Sequence, residues 1–212
     1  MRSVRSVVAG AVVLAGAAAV RKRMLQWGTS DDEMGVVLPG DDLVPTPSLS
    51  ATRSATIATT SAQVWPWIAQ LGQGRGGFYS YDRLSNLVGA DIHSASTVLA
   101  EFQHPAIGDD IKLAPEVALR VALVEPDRAL VLRGGIPLGE MRPPYDFTWA
   151  FVLRDLPDGS TRLIVRERYT YTNRWAAMLV EPTEVVSFVM TRRMLHVIKD
   201  RAERTATTRS VV

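Results

Sequence analysis

At 212 residues the chain is long enough for one medium domain with additions at its ends. It contains no cysteine, which excludes disulfides and thiolate zinc sites. Arg2, Arg5, Arg21, Lys22 and Arg23 put five positive charges into the first 25 residues. The remainder has 19 basic against 22 acidic side chains, so the net of +2 hides a folded part of net −3. Phosphate contacts need a basic face, and that balance argues against nucleic acid as a partner.

Residues 1–25 read as a hydrophobic anchor or signal segment. Ser6 to Val20 is an uncharged run of fifteen, SVVAGAVVLAGAAAV, with basic residues on both sides. A full bilayer span takes about 20 apolar residues, so the run is short. Ala17-Ala18-Ala19 suits signal cleavage, but the Arg21-Lys22-Arg23 cluster directly behind it favours an uncleaved anchor. The expected location is a membrane, held through this one segment; secretion after cleavage is the alternative, and a helix packed on the domain is a third reading. Residues 26–50 read as a linker, because Asp31-Asp32-Glu33, Pro39-Gly40-Asp41-Asp42, Pro45 and Pro47 break any regular pattern. Trp27 is expected at the membrane–water boundary or packed on the domain.

Residues 51–205 read as the folded domain. Arg53, Ala55 and Ile57 alternate with Ser54, Thr56 and Ala58, which predicts a first strand. Thr60 and Gln63 have the T-x-x-Q spacing of a capping box, so a helix is expected there, kinked or shifted by Pro66 and ended by Gly72. Glycines 72, 74, 76 and 77 match neither a phosphate loop nor a dinucleotide fingerprint. A second short helix is expected over Tyr81–Val88, then a loop from Ala90 to Gly108. Short strands follow at Ile111–Leu113, Ala118–Val124 and Ala129–Arg133, the last two joined by a turn at Glu125-Pro126-Asp127-Arg128. Beyond a Gly/Pro-rich loop, Phe147, Trp149, Phe151 and Leu153 alternate with Thr148, Ala150, Val152 and Arg154. Pro157-Asp158-Gly159 turns the chain into a long alternating strand, Arg162–Thr172. An amphipathic helix is expected over Thr183–Arg204, and residues 206–212 as a disordered tail.

The order is strand, two short helices, antiparallel meander, long C-terminal helix. This predicts an α+β helix-grip fold: a curved antiparallel sheet around the last helix, with two short helices after the first strand. The order resembles the START-like or SRPBCC superfamily, which includes lipid-transfer domains and polyketide cyclases. LPGDDLVP, VWPWIAQLGQGRGGFYSYDRLSNLVGADIHSA and Gly108-Asp109-Asp110 look like a membrane-anchored actinobacterial group within it. The resemblance covers residues 26–204 and implies a cavity; it does not imply a reaction.

In that arrangement, sheet residues of one parity and one face of the helix line the pocket. Trp149, Phe151, Tyr169, Met190 and Met194 are expected there, beside Phe147, Leu153, Leu163, Val165 and Tyr171. Glu167 shares their parity, so its carboxylate must be paired, neutralised or wet; it reads either as a ligand-orienting group or general base, or as a structural ion pair. Phe78, Tyr79 and Tyr81, with Asp82, are candidates for a rim or lid, and His93 for the pocket mouth. His93, His104 and His196 have no metal-ligand spacing, so no metal and no cofactor are expected. The expected function is binding or transport of a hydrophobic or amphipathic small molecule or lipid. The alternatives are a polyketide cyclase/dehydratase-like enzyme using a pocket carboxylate or histidine, and a membrane-anchored interaction scaffold.

Overall fold

A computed structural model describes residues 15–135 and 142–209. Residues 15–25 form the described part of helix α1. They are followed by α2 (Asp31–Gly35), a 3-10 turn (Asp41–Leu43), β1 (Leu49–Ile57), α3 (Ser61–Ala69) and α4 (Asp82–Leu87). Next come a 3-10 turn (Ala100–Phe102), β2 (Asp110–Ala114), β3 (Val117–Glu125), β4 (Ala129–Gly134), β5 (Tyr145–Asp155), β6 (Thr161–Tyr171) and α5 (Ala176–Arg209). The strands make one antiparallel sheet in the order β1-β6-β5-β4-β3-β2. The sheet curves around α5, the helix-grip arrangement that the element order predicts.

Period-2 alternation gives the sheet two unlike faces. Tyr145, Phe147, Phe151, Leu153, Leu163 and Val165 face α5 and join Val180, Met194, Leu195 and Ile198 in the main core. Ala129, Val131, Ala150, Val152 and Ile164 face the other way and form a smaller apolar cluster. Leu38 covers that cluster from the stretch expected as a linker.

This stretch departs from the expectation: it is a strap across the outer face. Asp41 is buried and receives Arg166 Nη1 at 2.6 Å and Arg168 Nη1 at 3.0 Å, and the Leu38 amide donates to it at 3.0 Å. Arg162 Nε donates to Glu33 Oε1 at 2.6 Å. Gly40 has a φ of 86°, and a Cβ there would lie 2.6 Å from Val131 Cγ1, so only glycine fits this contact. Turn formers that rule out a helix or strand do not rule out a fixed path, because the arginines of β6 supply the missing backbone partners. Arg166, for example, donates to the carbonyls of Val36 and Glu33, both at 2.9 Å.

The ends of three elements differ from the pattern reading. α3 starts after Thr60, but Thr60 makes no side-chain cap; Gln63 accepts from the Thr59 hydroxyl instead, so the capping box does not form. α5 begins seven residues before Thr183 and carries Pro182 inside it. A proline there withholds one hydrogen bond, from an exposed turn at Met178 where water can replace it. The same helix runs on to Arg209, through part of the expected tail; residues 210–212 lie outside the described residues.

Most of the apolar run Ser6–Val20 also lies outside the described residues, and no helix among the described residues is long and apolar enough to cross a membrane. Trp27 packs on the domain. Its ring meets His196 edge-on at 5.4 Å, and the Arg192 guanidinium stands 5.5 Å from it.

Candidate functional site

Between the inner face of the sheet and α5 the packing is incomplete. An apolar cavity of about 350 Å³ is lined by Phe78, Leu113, Trp149, Met190 and Met194, with Ser80, Ser85, Ser187 and Thr191 at its edges. A second space of about 190 Å³ shares Leu113, Trp149, Ser187, Met190 and Thr191 with it and adds Tyr145, Phe147, Glu167 and Tyr169. The shared walls make these an outer and an inner lobe of one groove. A depression of about 550 Å³ elsewhere is lined by Asp200, Glu203, Arg204 and Thr207 of a single helix face, which is surface relief and not a cavity.

The groove takes its shape from ring stacking. Phe78 stacks on Trp149 at 5.7 Å, and Phe147 lies 4.6 Å from Tyr169. The Trp149 indole N–H is buried and has no hydrogen-bond partner among the described residues. Such a donor costs free energy unless something accepts from it.

The inner lobe ends on charge. Arg53 of β1 donates to Glu167 Oε1 at 3.1 Å and to Glu184 Oε2 at 3.0 Å. Side-chain exposure is 1% for Arg53, 4% for Glu167 and 7% for Glu184, so one guanidinium serves two carboxylates out of water. Ser187 Oγ donates to Glu167 at 2.8 Å, Thr191 Oγ1 at 3.3 Å and the Tyr169 hydroxyl at 3.4 Å. Glu184 Oε1 has no partner among the described residues. Burial and the neighbouring Glu167 push the Glu184 carboxyl up to about 7, against the pull of Arg53. Burial and both carboxylates hold the Tyr169 hydroxyl well above the ordinary tyrosine range. Arg53 Nε also donates to the Met24 carbonyl at 3.1 Å, which ties the end of α1 to the cluster.

Of the residues expected in the pocket, Phe78, Phe147, Trp149, Glu167, Tyr169, Met190 and Met194 line one lobe or both. Leu153, Leu163 and Val165 are buried in the core instead, Tyr171 lines neither lobe, and four more also stay outside the groove. Phe151 lies fully buried between its cross-strand neighbours Leu130 and Val165. Tyr79 is locked: its hydroxyl accepts from Gln70 at 2.7 Å, and Arg201 sits 4.7 Å from its ring. Tyr81 is exposed under Arg193, and His93 reaches outward to Asp91 with 82% of its side chain in solvent.

The glycine-rich stretch, expected as a rim or lid, is fastened. Asp82 accepts from the Ser94 amide and hydroxyl, both at 2.7 Å, and Ser80 Oγ donates to the Met190 carbonyl at 2.8 Å. Gly77, at φ 70°, passes so close to Ser94 that a Cβ would lie 2.8 Å from its Cα.

Arg53, Glu184, Ser187 and Thr191 were not among the expected site residues. Arg53 shares the parity of Ala55 and Ile57, as Glu167 shares that of Val165. Glu184, Ser187 and Thr191 follow an i, i+3, i+7 spacing. That spacing was the available signal. Among the described residues, no group of His, Asp and Glu gathers to hold a metal.

No protein-family model matches the chain, and no curated protein does. Solved structures do resemble it. A Mesorhizobium loti protein is 13% identical at a TM-score of 0.46, over 74% of this chain and 98% of that one. CalU16 of Micromonospora echinospora is 14% identical at 0.37, over 74% and 86%. A polyketide_cyc-like protein of Corynebacterium glutamicum is 16% identical at 0.35, over 73% and 91%. Superpositions this loose say nothing of ligand or reaction.

Proposed function

We propose that the domain binds an apolar or amphipathic small molecule in the groove between the sheet and α5. The groove itself carries this reading. About 350 Å³ of mostly apolar space, with a few polar groups at one end, matches the build of small-molecule sites. The apolar walls remove the ligand from water, and the groups around Glu167 orient it. Native mass spectrometry of the purified full chain should detect a small molecule that travels with it. The freed protein should bind decanol. Met194→Trp places an indole in the outer lobe and should abolish that binding while circular dichroism stays unchanged. Full decanol binding by this variant would move the site elsewhere.

One observation favours enzyme chemistry of the cyclase or dehydratase sort as a second reading. Glu167 lines the inner lobe and shares Arg53 with Glu184, whose carboxyl is pushed up by burial to about 7, the range in which a general acid or base works at neutral pH. Chemical change of the co-purified molecule on incubation, lost in Glu184→Gln, would select this reading; an unchanged molecule would select binding alone.

We also propose that the chain works at a membrane. In support, the uncharged run Ser6–Val20 has basic flanks. The two helices that border the groove expose Leu84 and Leu87 on α4, with Val88 just after it, and Val185, Val186 and Val189 on α5. Full-length protein should sediment with membranes, and a chain beginning at Arg21 should not. Mature protein that starts near Val20 would establish secretion and overturn the anchor.

A further inference from the structure

The inner lobe brings together two features that recognise one ligand chemistry. Its walls are the rings of Tyr145, Phe147, Trp149 and Tyr169, and Glu167 stands among them. Aromatic faces carry negative charge density and attract cations within about 6 Å. Behind Glu167 the charges do not balance: Glu167 and Glu184 share the guanidinium of Arg53, and among the described residues the only other group that favours the Glu184 carboxylate is the uncharged Tyr169 hydroxyl, in a side chain only 7% exposed. A buried carboxylate of this kind is stabilised by a cation or by a proton.

We propose that the inner lobe is a subsite for an organic ammonium group, so that the groove's ligand is an amphiphilic amine with its apolar part in the outer lobe. The claim rests on the binding reading above and narrows it to one ligand class. The rings enclose the ammonium and its substituents, and the surplus carboxylate charge balances it. An anionic head group would meet the same rings and carboxylates as repulsion. The groups that face Glu184 are Arg53 from β1 and Glu167, Tyr169 and Tyr171 from β6. Of these only Arg53 is cationic, and Glu167 already shares it.

The test uses three ligands with one tail and different heads: decyltrimethylammonium, decanoate and decanol, titrated calorimetrically into the full-length protein at pH 8. The ammonium should bind at least tenfold more tightly than decanoate, and more tightly than decanol. Glu184→Gln removes the surplus charge and should cut the ammonium's advantage over decanol several-fold. Trp149→Leu removes one aromatic wall without touching the charges. It should lower the same ratio, and it serves if the first variant does not fold. Decanoate binding as tightly as the ammonium, or an ammonium preference that survives both substitutions, would overturn the proposal. Decanol binding without any head-group preference would sink this inference alone. Failure of all three ligands to bind would sink the groove as a binding site.

Discussion

Burial and the Glu167 carboxylate both favour the neutral form of Glu184, while Arg53 and Tyr169 oppose them. In the folded chain the group keeps its proton up to about 7, against an ordinary value of 4.5. Between those values the folded state binds more protons than the unfolded one, so stability falls as pH rises. The loss is up to about 1.4 kcal/mol per pH unit. Glu184→Gln should therefore match the parent at about pH 4, below the unfolded value, and exceed it by about 1–3 kcal/mol at pH 8. Urea denaturation at several pH values measures this, and identical pH profiles for the two proteins would place the titration on another group. Glu167 was legible in the sequence because strand parity alone puts it on the inner face. Its partner was not: Arg53 lies 114 residues away, and only the pairing of β1 with β6 brings the two together. Glu184 was hidden for a different reason. It lies in the first turn of the helix expected from Thr183, where a carboxylate reads as a solvated partner of the helix dipole, and only the packing of α5 on the sheet buries it beside Arg53.

At the scale of elements, alternation and turn chemistry located every strand to within a few residues. What they could not show was the strap of residues 26–48. Its order comes from long-range partners and not from local repeat. The buried Asp41 holds it, with Arg166 and Arg168 on either side of the carboxylate. Asp41→Ala would leave the Arg166 guanidinium, 4% exposed, without its countercharge. Breaking a buried pair from one side costs about 3–5 kcal/mol. Chemical denaturation should show that loss, and a change under about 1 kcal/mol would mean the pair is hydrated and the strap loosely held. Glu33 makes the second clasp. Burial opposes its charge, but Arg162 and the Ser30 amide outweigh burial and hold its carboxyl below the ordinary value. The sign is opposite to that at Glu184. This stabilisation is present above the unfolded pKa and is lost as pH falls through the folded one. Arg162→Met should reduce this acid-side sensitivity and leave the loss between 4.5 and 7 from Glu184 intact. Acid profiles that coincide for parent and variant would refute the clasp.

On the scale of the whole molecule, the two faces of the sheet are finished to different degrees. The strap closes the outer face over a small apolar cluster. α5 covers the inner face but leaves the groove, whose apolar walls lose the contacts that a filled core would give them. A ligand supplies those contacts only in the folded state, so occupancy must appear as stability. At a free ligand concentration one hundred times Kd the gain is about 2.7 kcal/mol. For a domain of this size, each kcal/mol raises Tm by about 2–4 °C. Decyltrimethylammonium at that concentration should therefore raise the Tm of the full chain by roughly 5–10 °C. Met194→Trp fills the same space covalently, so its ligand-free Tm should equal or exceed that of the parent, and its ligand-induced shift should vanish. The two effects test different things. A lower Tm in the variant with the ligand shift gone would mean that the indole overpacks the lobe while still occupying it. A ligand shift that persists at full size would mean that the bound molecule lies outside the groove, and that the incomplete packing beneath α5 is a tolerated void.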